Sequence, residues 1–140
     1  MTTLAEAQQR YPGAVPFRFG DNRSLNAEIL ALIRAGRKTV TCAALAAFDA
    51  SGEPMPEPGR IDLALTRDGA PALAIRTVSV EIIRFGEVAE AHIPLQGEFE
   101  SLAQWRLGYE AYLRRSGFFD WEAPMILETF EMIEDFRVSA

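Results

Sequence analysis

Cysteine and histidine are nearly absent from this chain of 140 residues and long apolar runs are missing, and each absence excludes a class of protein. The single cysteine, Cys42, excludes an internal disulfide and is typical of a reducing compartment. The single histidine, His92, excludes a zinc site built from several imidazoles. No run of about 18 apolar residues occurs, and the first residues lack the apolar core of a signal peptide. We therefore expect a cytoplasmic protein that does not span a membrane.

Several well-known catalytic motifs are also missing. The chain has no GxxxxGK[ST] phosphate loop, no GxGxxG turn after a strand, no HExxH zinc motif and no CxxC pair. Its acidic side chains are scattered rather than grouped at the spacing of metal ligands. We predict that the protein uses no metal and no cofactor.

Positive charge is scarce and unevenly distributed. The chain has 20 acidic and 14 basic side chains, for a net charge of −6. Nonspecific binding to nucleic acid depends on surplus lysine and arginine, so this balance disfavours a protein that coats RNA or DNA. Residues 1–41 nevertheless hold six of the basic side chains and only three acids. This is compatible with a small electropositive site for a nucleotide or another polar small molecule.

Lysine is the scarcest basic residue. Thirteen of the 14 basic side chains are arginine, and the other is Lys38. Arginine can replace lysine on a solvated surface, but it cannot lose its proton near neutral pH. Lys38 is therefore either an accident of composition or a residue whose chemistry arginine cannot supply. Composition alone leaves both alternatives open.

The rest of the composition is that of a single globular domain, with 49% hydrophobic and 24% charged residues and no internal repeat. An apolar stripe predicts a helix that is capped by Asp21 or Ser24 and ends at Gly36. A second helix is predicted from Ser101, where Gln104 would complete a capping box.

The remaining segments predict a sheet. Asp68 and Gly69 are typical of a hairpin turn, and apolar strands are predicted on both sides of them. Residues 16–20 are expected to be extended, and residues 86–93 to form a short helix. Residues 36–48 are ambiguous, and the segment after Pro124 is either a strand or a helix. Few helices beside a mostly antiparallel sheet predict an α+β fold, with a small curled barrel as one form of it.

Residues 36–41, GRKTVT, contain the best candidates for chemistry. A threonine hydroxyl is a weak nucleophile, and a buried lysine of lowered pKa can accept its proton. Lys38 and Thr41 are three residues apart, so they converge only in a helical turn, a bulge or a loop. The alternative is a helix C-terminus whose basic side chains complement the helix dipole. Spacing alone favours this alternative.

Other reactive or aromatic side chains are predicted to be structural. Small neighbouring residues favour Cys42 as a buried filler of the core. His92 is expected at the surface or as a capping residue. Trp105 and the nearby Tyr109 and Tyr112 have the spacing of a buried helix face, which favours packing over base stacking.

An ordered series of motifs resembles the ASCH domain (ASC-1 homology) family of the PUA-like superfamily. The resemblance begins with PFRFGD at residues 16–21 and continues into GRKTVT, which matches the GxKxxT signature of the family. It extends through EPMPEPGRIDLAL, VEIIRFGEVAEAH and GEFESLAQWR, at residues 53–65, 80–92 and 97–106. The resemblance implies a PUA-like pseudo-barrel with flanking helices. It also implies one ASCH domain over residues 1–140, with its core at about residues 15–138.

The same resemblance implies a function. Some small bacterial members are amidohydrolases of N4-acylated cytidines that use a threonine, a lysine and a glutamate. By position, Thr41 is the expected nucleophile, Lys38 the base and Glu98 the supporting acid. Glu100 is the alternative acid and, together with Arg18 and Arg37, a candidate for binding the substrate.

The expected partner is a nucleoside or nucleobase such as N4-acetylcytidine, hydrolysed without a metal. ASCH domains have also been proposed to bind RNA, and one member has been described as a ribonuclease. An RNA-binding module or weak ribonuclease that uses the same cleft is therefore the alternative. A structural PUA-like domain that binds neither ligand is the third hypothesis.

Overall fold

The structure is a computed structural model that describes residues 1–137. The predicted limits at residues 138 and 140 lie outside the described residues. Five strands form one sheet, namely β1 (Val15–Arg18), β2 (Val40–Ala44), β3 (Ile61–Leu65), β4 (Pro71–Arg84) and β5 (Pro124–Asp135). The α-helices of the described residues are α1 (Leu4–Arg10), α2 (Arg23–Arg34), α3 (Leu45–Ser51) and α4 (Leu102–Ser116).

The sheet has the strand order β1-β3-β4-β5-β2. Strands β1 and β3 are parallel, and the other neighbouring pairs are antiparallel. The register between the two long strands, β4 and β5, shifts at Ala74/Ile75 and again at Thr77/Ser79. Such bulges bend a strand and increase its twist, so the sheet curls into a half-barrel. The predicted α+β class and the predicted hairpin across Asp68 and Gly69 are confirmed.

Helix α2 is capped by Asn22, which lies between the two predicted caps. The side chain of Asn22 accepts a hydrogen bond of 2.9 Å from the backbone N–H of Leu25. Asn22 has the extended backbone of a capping residue, whereas Asp21 only accepts a bond from the Asn22 side chain and Ser24 lies inside the first turn. The prediction of Asp21 or Ser24 as the cap was therefore wrong.

The end of α2 is the predicted glycine stop. Gly36 has a φ of +74° and donates its N–H to the Ile33 carbonyl at 3.0 Å. The next N–H, from Arg37, reaches the Leu32 carbonyl at 2.9 Å. These two bonds are the Schellman motif, which satisfies carbonyls at the helix end and turns the chain sharply.

Helix α4 begins at Ser101 as predicted, but its capping box is incomplete. The Ser101 hydroxyl accepts from the Gln104 N–H at 3.2 Å. The Gln104 side chain does not return the bond to Ser101, because it accepts from the N–H of Glu100 at 3.0 Å instead. Along the predicted buried face Trp105 and Leu113 are fully buried, whereas Tyr112 is 48% exposed.

Tertiary pairing decides the ambiguous segments. The segment after Pro124 is a strand, because β5 pairs with β4 on one side and with β2 on the other. Residues 40–44 form the edge strand β2, which passes directly into α3. Two three-residue 3-10 turns, Phe85–Glu87 and Glu90–His92, occupy the segment predicted as a short helix.

The core consists of three apolar clusters that lie under α4, α2 and α1. The cluster under α4 includes Phe85, Trp105 and Leu113 together with Val40, Cys42 and Ala44 of β2. The cluster under α2 includes Phe19, Ile29, Leu73 and Phe130, and the cluster under α1 includes Leu63 and Phe136. Because β2 buries Val40, Cys42 and Ala44 under α4, Thr41 lies on the other face of that strand.

Candidate functional site

The loop between α2 and β2 places Lys38. This loop begins at the Schellman motif, and two backbone hydrogen bonds of Thr39 then fix it. The Thr39 N–H donates to the Leu95 carbonyl at 2.8 Å, and the Thr39 carbonyl accepts from the Phe130 N–H at 2.9 Å. Residues 36–39 therefore form a fixed loop rather than a continuous helix or strand. A loop is one of the geometries in which Lys38 and Thr41 can approach the same site.

Lys38 is a buried charge with a complete set of acceptors. Its side chain is 1% exposed. The Nζ atom donates to the carbonyls of Val40 at 2.8 Å and Gln96 at 3.2 Å, and to Glu98 Oε2 at 2.7 Å. Three acceptors match the three hydrogens of an ammonium group. Burial lowers the pKa of Lys38 from its ordinary 10.5, and the nearby Glu98 carboxylate partly offsets this.

Glu98 reaches Lys38 because Gly97 allows two loops to touch. Gly97 has a φ of +74°, which a residue with a side chain rarely adopts. A β-carbon at this position would lie 2.7 Å from the Arg37 carbonyl oxygen. The glycine therefore permits both the turn and the close approach that bring Glu98 beside Lys38.

A buried glutamine anchors the loop that precedes Glu98. Gln96 is fully buried, and its side-chain oxygen accepts from the indole Nε1 of Trp105 at 2.9 Å. Its side-chain nitrogen donates to the His92 carbonyl at 3.0 Å. The backbone carbonyl of Gln96 is one of the three acceptors of Lys38. Helix α4 therefore positions the acid of the ion pair through Trp105.

Lys38, Thr41 and Glu98 line one cavity of about 400 Å³. This volume lies within the usual range of about 300–1,000 Å³ for ligand pockets. Within residues 1–137 the Thr41 hydroxyl has no hydrogen-bond partner, so it is available to a ligand. The remaining lining residues are Arg18, Phe19, Gly20, Asp21, Leu25, Ile29, Cys42, Phe99, Gly108, Tyr109, Tyr112 and Arg115.

The structure separates the other predicted site residues. Arg18 lines the cavity, but Arg37 and Glu100 do not. Arg37 is exposed, and its backbone forms the end of α2. Glu100 is also exposed, and it lies at the start of α4, where its N–H donates to Gln104. Of the two predicted acids, Glu98 is therefore the one that contacts Lys38.

Sequence reasoning missed the part of the cavity that α4 provides. Tyr109, Tyr112 and Arg115 recur every three residues, so they lie on one side of the helix. Tyr109 stacks on Trp105 at a ring distance of 4.9 Å and donates its hydroxyl to the Cys42 carbonyl at 3.3 Å. Burial raises its pKa well above 10, so the phenol stays neutral. Tyr112 is half-exposed, so this helix face is not all core as its spacing had predicted.

The lone cysteine and the lone histidine are structural. Cys42 is buried, and burial raises the pKa of its thiol to about 12. It is therefore a neutral thiol at pH 7 rather than a nucleophile, in agreement with its predicted role as a core filler. His92 Nδ1 accepts from the Ala89 N–H at 2.9 Å, so the predicted capping role of this residue is confirmed.

A half-buried carboxyl, Glu128, lies next to the site and was not predicted. Glu128 of β5 is the direct cross-strand partner of Thr41, so the two side chains share one face of the sheet. The Thr77 hydroxyl donates to Glu128 Oε2 at 2.7 Å. Burial raises the pKa of Glu128, and the hydrogen bond from Thr77 opposes that shift. Glu128 does not line the cavity itself.

The described residues hold no group of three histidine, cysteine, aspartate or glutamate side chains placed to bind one metal ion. In the same part of the chain, no helix combines the length and the apolar character needed to cross a membrane.

Comparison with known proteins agrees with this architecture. The family model of the ASCH domain matches residues 16–134. An ASCH domain from Lactobacillus crispatus superimposes with a TM-score of 0.76 and 24% sequence identity, over 91% of this chain and 84% of that chain. A protein from Enterococcus faecalis, assigned to a family named only as a domain of unknown function, superimposes with a TM-score of 0.77 and 25% identity, over 87% of this chain and 77% of that chain.

No curated protein matches the chain significantly. ASCH domains are PUA-like, and the curled five-stranded sheet with its flanking helices has that form, as the sequence predicted. The family match covers most of the chain and includes the residues that line the cavity from Arg18 to Arg115. The chain therefore belongs to the ASCH domain family.

Proposed function

We propose that this protein is a metal-independent amidohydrolase that removes the acyl group from N-acylated cytidines, with N4-acetylcytidine as the first substrate to test. The observation that supports the proposal is the buried Lys38–Glu98 ion pair in the same cavity as the unbonded hydroxyl of Thr41. A hydroxyl, an amine of lowered pKa and a carboxylate are the three groups that acyl transfer needs.

The first step requires Lys38 to lose a proton. In the resting site Lys38 is an ammonium ion, since all three of its hydrogens have acceptors. Transfer of one hydrogen to Glu98, over 2.7 Å, leaves a neutral amine with a lone pair. Burial favours this transfer because it destabilises the charged form of Lys38.

Nucleophilic attack then follows from the same two residues. The neutral amine of Lys38 accepts the Thr41 proton while the Thr41 oxygen bonds to the acyl carbon. The tetrahedral intermediate collapses by breaking the bond between the acyl carbon and the cytosine nitrogen, and Lys38 returns its proton to that nitrogen. Water next hydrolyses the threonine ester, releasing the carboxylic acid and restoring the hydroxyl.

The aromatic lining of the cavity suits a nucleoside. Tyr109, Tyr112 and Phe99 provide aromatic surface for a base. The net charge of −6 disfavours a long RNA as the ligand, because each phosphate would enter the field of an acidic protein. We place the reaction in the cytoplasm, where a free thiol such as Cys42 stays reduced.

The direct test is release of cytidine from N4-acetylcytidine by the purified protein, with and without a chelator. We expect hydrolysis that the chelator does not affect. Thr41→Ala should abolish turnover, whereas the matched control Thr39→Ala should retain it, because Thr39 does not line the cavity. Absence of hydrolysis in the wild type, or dependence on a divalent ion, would overturn the proposal.

A second matched pair tests the acid. Glu98→Gln removes the proton acceptor of Lys38 and should lower turnover about 10²-fold or more. Glu100→Gln changes an exposed carboxylate outside the cavity and should have little effect. Equal losses in the two variants would argue against the assigned role of Glu98.

A further inference from the structure

Two arginines of the cavity have no role in the proposed acyl transfer. Eight of the 13 arginines form ion pairs with acidic side chains, and Arg67 and Arg106 donate to backbone carbonyls. Among residues 1–137, the arginines whose guanidinium groups have neither an ion pair nor a hydrogen bond are Arg18, Arg37 and Arg115. Arg18 and Arg115 line the cavity, and Arg37 does not.

Arg18 lies at the end of β1, beside the β3–β4 hairpin. A β-carbon on Gly69 would lie 3.0 Å from Arg18 Nη2, so this glycine leaves room for the guanidinium. The acid of that turn, Asp68, already accepts two hydrogen bonds from Arg23, at 2.9 and 2.7 Å. Asp68 is thus already paired with Arg23, so it does not occupy the guanidinium of Arg18, which stays available to a ligand.

Arg115 approaches the cavity from α4. Its guanidinium carbon lies 5.9 Å from the ring centre of Tyr112, which holds it beside the aromatic part of the cavity. The preceding Arg114 is engaged differently, with Glu110 at 3.0 Å and over the ring of Phe119. Two consecutive arginines therefore have different environments, and only Arg115 lines the cavity.

The charges around the cavity favour an anion. Its lining has three cations, Arg18, Lys38 and Arg115, and two acids, Asp21 and Glu98. Glu98 is paired with Lys38, so the other charged lining residues are two arginines and one carboxylate, Asp21. This local positive surplus lies in a chain of net charge −6, and both arginines are exposed where the cavity meets solvent.

We propose that Arg18 and Arg115 form a phosphate subsite and that the substrate is an N-acylated cytidine monophosphate rather than the free nucleoside. The identity of the base and of the acyl group rests on the proposed function. Guanidinium groups match phosphate because they donate several hydrogen bonds in a fixed planar geometry. Asp21, also in the lining, is an acceptor suited to the hydroxyls of the ribose.

A mononucleotide fits these observations better than RNA. The subsite consists of two guanidinium groups beside a cavity, whereas a bound strand needs a series of cations along its phosphates. Arg37, the one other unpaired arginine of the described residues, does not extend the subsite because it lies outside the cavity.

The test compares binding of cytidine with binding of its 5′- and 3′-monophosphates by calorimetry, using the full chain. At least one monophosphate should bind about tenfold or more tightly than cytidine, since bonds to a charged group are worth that much. Arg18→Gln and Arg115→Gln should each reduce this ratio to near one, and Arg37→Gln should preserve it. Thermal melts confirm that each variant is folded.

Three results would overturn the inference. The first is equal affinity of the wild type for cytidine and both monophosphates. The second is a loss of the affinity ratio between monophosphate and cytidine in Arg37→Gln as large as in the cavity variants. The third is tight binding of a short RNA by a wild type that prefers neither monophosphate over cytidine. Hydrolysis of N4-acetylcytidine and of its 5′- and 3′-monophosphates is measured separately on the wild type. Hydrolysis without a preference for monophosphate contradicts only the subsite, and a preference without hydrolysis contradicts only the proposed reaction.

Discussion

At the scale of single residues, the site is organised by a lysine that is almost completely removed from water. Burying a charge is costly unless every hydrogen has an acceptor, and Lys38 meets this condition with two carbonyls and Glu98. Each of these acceptors is placed for a compact ammonium group. This explains physically why a chain with 13 arginines keeps one lysine here.

We predict that Lys38→Arg loses hydrolysis, because a guanidinium does not become neutral near pH 7. Turnover should fall by about two to four orders of magnitude, the usual worth of a positioned base. The measurement is cytidine release beside a thermal melt that shows the variant is folded. If the larger guanidinium prevents folding, Lys38→Ala assayed with added ethylamine tests the same role. Full turnover in folded Lys38→Arg, or absence of amine rescue in folded Lys38→Ala, would contradict the base role.

The neighbouring Glu128 provides a prediction about stability and pH. Burial raises its pKa above 4.5, so the folded protein binds this proton more tightly than the unfolded chain. The contribution of Glu128 to the free energy of unfolding is therefore lost as pH rises from about 4.5 through the pKa of Glu128 in the folded protein. Glu128→Gln removes the ionisation and keeps an acceptor for Thr77. It should melt at a higher temperature than wild type at pH 7, and the difference should shrink toward pH 4.

The matched control for this prediction is Glu131→Gln on the same strand. Glu131 is exposed and paired with Arg76, so its replacement should show no such gain at pH 7. Melting curves from pH 4 to 8 for wild type and both variants are the measurement. A difference between wild type and Glu128→Gln that does not change with pH would show that Glu128 does not ionise as described.

At the scale of elements, two glycine turns place the ion pair, and they differ in one respect. Gly36 and Gly97 both have a φ of +74°, but a β-carbon on Gly36 would meet nothing within 4 Å, whereas one on Gly97 would meet the Arg37 carbonyl at 2.7 Å. Gly36 ends α2, and Gly97 lets the loop of Glu98 pack against the loop of Lys38. Gly36 is needed because of its backbone conformation. Gly97 is needed for the same reason and also because a β-carbon would clash with the neighbouring loop.

This contrast predicts different outcomes for two alanine variants. Gly36→Ala should cost about 1–2 kcal/mol of stability, the strain of a left-handed alanine, and should retain most of its hydrolysis. Gly97→Ala has the same strain and a backbone clash in addition, so it should be less stable and should lose turnover as Glu98 moves. Urea unfolding and cytidine release measure both effects. Equal behaviour of the two variants would show that the close approach at Gly97 is unimportant.

Elements were predictable where local chemistry decides them. Helix α2 ends at Gly36, the glycine that the sequence identified, and the hairpin at Asp68 and Gly69 follows from turn preferences. The capping details were less predictable, because Asn22, Asp21 and Ser24 are all good caps and the preceding chain direction decides among them. The segment after Pro124 was undecided because its partners, β4 and β2, are distant in sequence.

At the scale of the whole molecule, the acidic charge shapes the choice of ligand. A net charge of −6 repels a polyanion, while the cavity itself has a local surplus of positive side chains. A small anionic or polar ligand can enter this local field without bringing many phosphates near the acidic surface. This distribution supports the proposed function over the RNA-binding alternative.

We therefore predict that unmodified RNA binds weakly. A fluorescein-labelled single strand of about 12 nucleotides should show a dissociation constant above about 10⁻⁴ M at physiological salt, by fluorescence anisotropy. A salt titration serves as the control, because binding through phosphates must weaken steeply as salt increases. Micromolar affinity with a steep dependence on salt would favour the RNA-binding alternative.

The sequence by itself determined the fold class and the family resemblance, and through that resemblance it gave Lys38, Thr41 and Glu98 as the candidate set. These depend on short motifs, glycine stops and turn residues, whose preferences act within a few positions. Only the tertiary structure decided that Glu98 rather than Glu100 contacts Lys38, that Arg37 lies outside the cavity and that Arg115 lines it. Each depends on how α4, the loop around Gly97 and the loop after α2 pack together, and packing between distant segments leaves no periodic pattern in the sequence.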